Sequence, residues 1–352
     1  MLRLSSYTIY LKLILFGEKM NKTIAVLGAT GSVGRQSLEV VDNKGYRVDF
    51  MSAAQDFVAL ESAARLYKPS AVALVDERAA KELRCRLKDT SVKVYSGEEG
   101  ILFGLSQSSA DTVINAILGS AGLAPTIRTL EERKTLALAN KESLVVAGDI
   151  VMKKSRENSA RIIPVDSEHS AIFQSLSAGK ASEIRRLILT ASGGPFFEKS
   201  REQLKRVTLF DALNHPTWKM GKKISTDSAT LMNKGFEIIE AAHLFGVDES
   251  KIDVIVHRES ILHSAVEYID KAIMAHLSVP DMRSCIQYAL EYPERTESLA
   301  EPLDLVKVAS LTFYKPDTDA FPLLSLVDTS WLFVVSYVLT HSGERTWRHS
   351  ST

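Results

Sequence analysis

The segment Gly28-Ala-Thr-Gly31-Ser-Val-Gly34 directly follows the β-branched run Thr23–Leu27 and opens a helical pattern over Val33–Val41, in which Leu38 and Val41 face inward. A strand that turns through closely spaced glycines into a helix leaves backbone amides at the helix N-terminus, where a pyrophosphate is favoured. The spacing is G-x-x-G-x-x-G rather than G-x-G-x-x-G, so the strand before and the helix after carry the reading of a dinucleotide site. The alternation continues. Apolar runs at Val48–Met51, Ala71–Val75, Val92–Tyr95 and Thr112–Ala116 are separated by amphipathic stretches. Such a pattern predicts βαβ units and a parallel, Rossmann-like sheet of the α/β class.

At 352 residues the chain is long enough for two or three domains. The pattern changes near Asp149, which sets an expected boundary between residues 20–148 and 149–310. Beyond it, Arg161–Val165 and Ile184–Thr190 read as strands and Ala171–Leu176 as a short helix. The loops Ser192–Pro195 and Asn214–Lys223 precede one long helix over Ser228–Phe245. A strand at Asp253–Val256 and a hairpin of Ser264–Tyr268 with Ala272–Leu277 give this second domain an α+β character. Residues 1–19 are expected to be an N-terminal extension, with Met20 as the natural start, and residues 311–352 an atypical tail.

Forty-three basic residues balance 43 acidic ones, which leaves no charge excess for sequence-independent nucleic-acid binding. The apolar run Tyr10–Phe16 is too short to span a bilayer, so no membrane association is expected. Cys85 and Cys285 form no CxxC or Cys/His spacing; both read as buried thiols in a reducing, cytoplasmic compartment.

Asp166-Ser167-Glu168-His169 stands at the carboxyl end of a predicted strand, the ligand edge of an α/β sheet. In extended chain Asp166 and Glu168 point the same way, and hard oxygen ligands select Mg²⁺ or Mn²⁺. The competing reading makes Asp166 or Ser167 a helix cap. On the helix that follows Thr226-Asp227-Ser228, the residues Asn233, Lys234 and Glu237 share one polar arc opposite Leu231, Ile238, Ala242 and Phe245. That arc suits a phosphate, and Glu237 suits a third metal ligand; a solvated helix face is the alternative. Asn140-Lys141-Glu142-Ser143 marks another strand end, where Lys141 could polarise a carbonyl or lie on the surface. His215 and Trp218 lie in a loop that could close over a ligand.

Taken together, GATGSVG, ALANKESLVVAG, PVDSEHSAIFQ, TASGGPF, HPTWKMGKKISTDSATLMNKGFEIIEAAHLF, ILHSAVEY and PDMR resemble the 1-deoxy-D-xylulose 5-phosphate reductoisomerase family over about Lys22 to Leu326. The resemblance implies an oxidoreductase that isomerises and reduces 1-deoxy-D-xylulose 5-phosphate to 2-C-methyl-D-erythritol 4-phosphate in the non-mevalonate route to isoprenoids. It implies NADPH and Mn²⁺ or Mg²⁺ as cofactors, a phosphorylated sugar as substrate, and a homodimer formed through the second domain. Asp166, Glu168 and Glu237 would bind the metal and, with Lys141 and His215, form the catalytic group. Substrate would meet Lys141, Ser167, Glu168, Trp218 and Glu237. Its phosphate would fall to Ser192, Ser228, Asn233 and Lys234, with His215 assisting. NADPH would contact Thr30, Gly31, Ser32, Val33, Asn140, Glu142 and Gly221.

Two departures from the family pattern stand out. After the second strand this chain has Ala54, Gln55 and Asp56 in place of Gly, a basic residue and Asn, which weakens the expected preference for NADPH over NADH. After Phe321-Pro322-Leu323 it reads Val327-Asp-Thr-Ser-Trp331, where the family continues into a helical domain containing Asn-Ala-Ala-Asn-Glu. That C-terminal domain is therefore expected to be missing or altered, and the alternative reading is a non-catalytic dinucleotide-binding product of the same family.

Overall fold

Strand β1 (Thr23–Leu27) is buried along its whole length, as are β3 (Ala71–Leu74) and β5 (Thr112–Asn115). Strands covered on both faces read as continuous apolar runs, the mark of a parallel sheet sandwiched by helices. The computed structural model describes residues 22–214 and 221–325 and bears this out. With β2 (Arg47–Ala53), β4 (Lys93–Ser96), β6 (Thr135–Leu138) and β7 (Ile162–Pro164), these strands form one all-parallel sheet in the order β4-β3-β2-β1-β5-β6-β7. Helices α1 (Ser32–Lys44), α2 (Phe57–Tyr67), α3 (Glu77–Arg86), α4 (Gly97–Gln107), α5 (Leu123–Glu131) and α6 (Glu142–Asn158) cross between them. The order reverses between β1 and β5, which opens a crevice at the strands' carboxyl ends.

The chain then enters α7 (Ser167–Ser175) and a second, four-stranded sheet. Its order is β11-β10-β8-β9, built from β8 (Ile184–Ala191), β9 (Ile252–Val256), β10 (Leu262–Tyr268) and β11 (Ile273–Leu277). The expected hairpin is β10–β11, antiparallel; β10 also runs antiparallel to β8, whereas β8 and β9 are parallel. Between β8 and β9 lie the short α8 (Arg201–Leu204) and α9 (Leu209–Leu213), then α10 (Lys222–Ala229) and α11 (Met232–Phe245). Leu187, Leu189, Ile238, Ile239 and Val266 pack α11 onto this sheet.

Three expectations are corrected. The single helix over Ser228–Phe245 is two, because Leu231 takes a left-handed conformation at φ 59° with its side chain buried in the core. A left-handed non-glycine residue costs about 1–2 kcal/mol, here offset by burial of the leucine. Cys85 is exposed, since α3 turns that position outward; Cys285 is buried as expected. Glu168 is not in extended chain but in the first turn of α7.

Two later helices follow, α12 (Met282–Glu291) and α13 (Leu305–Val308). Helix α12 returns to the first sheet, where Ile286, Ala289 and Leu290 join the cluster that contains Ile24, Val26 and Val41. The Tyr46 hydroxyl donates to Glu291 Oε1 at 3.0 Å, and Lys44 Nζ lies 3.5 Å from the same oxygen. His215, Trp218 and the segment from residue 326 onward lie outside the described residues.

Candidate functional site

The glycine turn builds one side of the crevice. Gly28 takes φ +75°, and a Cβ on Gly34 would come within 2.1 Å of the Gly28 carbonyl oxygen, so only glycine lets α1 start this close to β1. Gly31 caps α1 without any side-chain hydrogen bond. The first-turn amides at Ser32 and Val33 thus take no side-chain cap from Gly31, an arrangement that suits an anion. Arg35, exposed in the first turn of α1, donates to the Thr30 carbonyl at 2.8 Å. Asp56 caps α2 by accepting from the Ala59 amide at 3.0 Å.

Across the crevice, Asn140 ties two strand-end loops together. Its Nδ2 donates to the carbonyls of Ile117 (2.7 Å) and Gly119 (2.8 Å), and its Oδ1 accepts from the Ser143 amide at 2.9 Å. Glu142 Oε1 lies 2.8 Å from Lys223 Nζ, which links α6 to α10; Gly221 stands open at the N-cap of α10.

Lys141 and Asp166 come from the ends of the neighbouring strands β6 and β7. Lys141 is no surface lysine: it is 7% exposed, and its Nζ lies 2.7 Å from Asp166 Oδ2, 2.9 Å from Glu237 Oε1 and 2.9 Å from Asn233 Oδ1. Asp166 also caps α7, accepting from the Glu168 amide at 3.3 Å, so the cap and the cluster are one arrangement. The cap, rather than extended chain, turns Glu168 toward Asp166. Oxygen atoms of Asp166, Glu168 and Glu237 all lie within 4.8 Å of one another. Ser167 Oγ donates to Glu168 Oε2 at 2.7 Å. Lys234 contacts Glu237 Oε2 and stands 4.0 Å from Glu168 Oε1.

Burial governs the electrostatics. It works against the Lys141 ammonium, yet the carboxylates of Asp166 and Glu237 hold its pKa well above the usual lysine value. Burial likewise opposes ionisation of Asp166, but Lys141 and His169 hold its carboxyl well below the ordinary range. Glu168 goes the other way, pushed up to about 8 by burial with Lys234 only partly opposing.

The Ser192-Gly193-Gly194 turn after β8 reaches the same region. Gly194, at φ +65°, packs so tightly on the end of α10 that a Cβ would meet the Ser228 carbonyl oxygen at 2.6 Å. Arg258 Nη1 donates to the Gly194 carbonyl at 2.8 Å and also binds that of Ser192, which fixes the turn. Ser192 and Ser228 are thereby held on facing segments.

Sequence reasoning missed His169 and Glu240. His169 is fully buried, with Nδ1 3.3 Å from Asp166 Oδ1 and 3.4 Å from Glu240 Oε2. The signal was there: three residues past Glu237, Glu240 falls about 60° around the helix and so within the same polar arc.

This arrangement has close counterparts. Family profiles match residues 24–148 (1-deoxy-D-xylulose 5-phosphate reductoisomerase), 162–245 (its C-terminal domain) and 277–331 (DXP reductoisomerase C-terminal domain). The 1-deoxy-D-xylulose 5-phosphate reductoisomerase of Halothermothrix orenii is 50% identical over 309 residues, 87% of this chain and 80% of that protein. The chain belongs to the 1-deoxy-D-xylulose 5-phosphate reductoisomerase family. The reductoisomerase of Ruminiclostridium cellulolyticum is 47% identical over 87% of this chain and 81% of its own length. Among solved structures, a reductoisomerase in complex with NADPH, fosmidomycin and magnesium superposes with a TM-score of 0.83 at 40% identity, over 87% of this chain and 78% of that one. The Zymomonas mobilis reductoisomerase in complex with NADPH gives 0.82 at 40% identity, over 88% and 80%.

Proposed function

We propose that this chain is an NADPH- and divalent-metal-dependent reductoisomerase acting on 1-deoxy-D-xylulose 5-phosphate to give 2-C-methyl-D-erythritol 4-phosphate, a step in the non-mevalonate route to isoprenoids. The observation that carries this reading is the convergence of Asp166, Glu168 and Glu237 beside Lys141, at the sheet edge that also presents the glycine turn. Three carboxylates gathered within 4.8 Å suit a hard cation such as Mg²⁺ or Mn²⁺, and the α1 N-terminus suits a pyrophosphate. When bound, the cation supplies Lewis acidity toward substrate oxygens and NADPH supplies hydride.

The chain's own groups do the remaining work. Asp166, Glu168 and Glu237 hold the cation. Lys141, fixed between two of them, donates hydrogen bonds to a substrate oxygen and stabilises negative charge there, and Ser167 adds a hydroxyl. Ser192, Ser228, Asn233 and Lys234, with His215, hold the phosphate. That group is remote from the reacting carbons, so its binding energy can order the site and exclude water, with Trp218 as the cover. Thr30, Gly31, Ser32, Val33, Asn140, Glu142 and Gly221 contact NADPH. Residues 20–148 form the nucleotide domain and 149–310 the catalytic and dimerisation domain.

A homodimer in the cytoplasm completes the reading. Strand β11 is a sheet edge with Ile273, Met274 and Leu277 all exposed, and two copies joined across a twofold axis would cover it. Light scattering should give twice the 38.9 kDa chain mass, shifting toward one chain in Met274→Asp. No helix among the described residues is long and apolar enough to cross a membrane. The decisive assay follows NADPH oxidation with the sugar phosphate: consumption should require Mn²⁺ or Mg²⁺ and stop on chelation, and oxidation indifferent to the cation would overturn the proposal.

A further inference from the structure

We propose that Glu240, acting through His169, is a positioning residue for the cation site: the pair fixes the Asp166 carboxylate and the backbone of Glu237 relative to each other. The inference rests on the reading that Asp166, Glu168 and Glu237 hold the cation.

The imidazole of His169 touches both elements that supply that trio. Its Nε2 lies 2.9 Å from the Glu237 carbonyl oxygen on α11, and its Nδ1 lies 3.3 Å from Asp166 Oδ1 at the head of α7. The ring is held by near-parallel stacking on Phe245, with centroids 6.2 Å apart at 18°. Asp166 therefore has a cationic or potentially cationic nitrogen beside each oxygen, His169 Nδ1 near Oδ1 without a hydrogen bond and Lys141 Nζ at Oδ2. Metal-ligating side chains are commonly oriented by such an outer layer of polar partners, ligating carboxylates included.

Glu240 supplies the backing. It sits one turn beyond Glu237, its side chain is 1% exposed, and neither carboxylate oxygen has a hydrogen-bond partner among the described residues. Its Oε2 stands 3.4 Å from His169 Nδ1. A buried carboxylate without hydrogen bonds is costly, and here its negative charge draws the ring into the gap between α7 and α11. Donor atoms of Asp166, His169 and Glu240 also lie within 4.8 Å of one another, so the same groups could act instead as ligands to a second ion. Stoichiometry separates the two roles.

The test is a Mn²⁺ titration followed by electron paramagnetic resonance on the full chain, its Asp166→Asn, Glu240→Gln and Glu240→Asp variants, with NADPH affinity by fluorescence as a control for folding. One Mn²⁺ per parent chain is expected. Glu240→Gln should weaken Mn²⁺ binding by about 10–100-fold while NADPH affinity stays within about twofold. In turnover it should raise the Mn²⁺ concentration for half-maximal rate more than it lowers kcat at saturating Mn²⁺. Glu240→Asp, which keeps the charge but withdraws it, should fall between, and is the variant to read if Glu240→Gln loses NADPH binding. Mn²⁺ affinity equal to the parent's in whichever variant is read would overturn the inference. So would two Mn²⁺ per parent chain with one lost in Glu240→Gln. A parent that binds no Mn²⁺, or an Asp166→Asn variant that binds it as the parent does, would bring down the cation-site reading and this inference with it.

Discussion

The middle of the parallel sheet and the stretch of α11 over residues 234–241 are both buried, yet burial means opposite things in the two places. In β1, β3 and β5 the inward groups are almost all apolar, so each adds favourable transfer free energy and the sum is a rigid scaffold. In α11 the buried set includes Lys234, Glu237 and Glu240, whose desolvation is unfavourable unless partners from other elements compensate. Stability is spread over the first region. The second concentrates unfavourable burial where chemistry needs charge held in a dry, fixed geometry.

The comparison breaks most visibly at Glu237. Glu237→Gln keeps the shape of the helix but removes a proposed ligand, and should lower cation-dependent turnover by on the order of 10³-fold or more with NADPH affinity nearly unchanged. Wild-type rates in that variant would remove Glu237 from the cation site. Phe50→Ala is the counterpart in the sheet. It should cost about 3–5 kcal/mol in urea unfolding, because Phe50 is fully buried, while the Mn²⁺ affinity of the folded protein stays the same. A parallel loss of Mn²⁺ affinity would mean that scaffold and site are not separable.

A pH titration of stability probes the second sheet. Burial, reinforced by His276, lowers the His263 pKa from 6.5 to about 4. The folded state thus binds fewer protons than the unfolded chain between those values, so the contribution is complete above pH 6.5 and is lost as pH falls toward 4. The loss should be about 2 kcal/mol between pH 7.5 and 5, and His263→Gln should remove that part of the slope. An unchanged slope would place the effect on other groups. The smallest effect is expected at the rim of the proposed nucleotide site. Gln55→Arg, on an exposed position after β2, should raise the NADPH to NADH preference by about tenfold at most. A ratio that stays fixed would show that another group reads the ribose phosphate.

The same contrast governs what could be read from the amino-acid sequence. The strands and helices of the first sheet are legible because periodicity and glycine placement are local, and Gly28 and Gly34 announce the turn directly. The convergence of Asp166, Glu168 and Glu237 was expected, but for a partly wrong reason: the helix cap at Asp166, not strand geometry, brings Glu168 around. The break at Leu231 was invisible, since nothing local marks a leucine for left-handed backbone; tertiary burial decides it. Lys141 could not be told from a surface lysine until its partners arrived from α7 and α11. His169 and Glu240 escaped because, although Glu240 continues the polar arc of Asn233, Lys234 and Glu237, the imidazole it faces comes from a distant segment of the chain.

Helix α12 carries one more consequence. The wall that completes the core of the first sheet, with Ile286, Ala289 and Leu290 in one cluster with residues of β1 and α1, is encoded after the whole of α11. A ribosome delivers all seven strands before it delivers their last cover. The first sheet to be translated is therefore among the last elements to be finished, and a nascent chain halted ahead of residue 282 would expose apolar flank rather than a closed core.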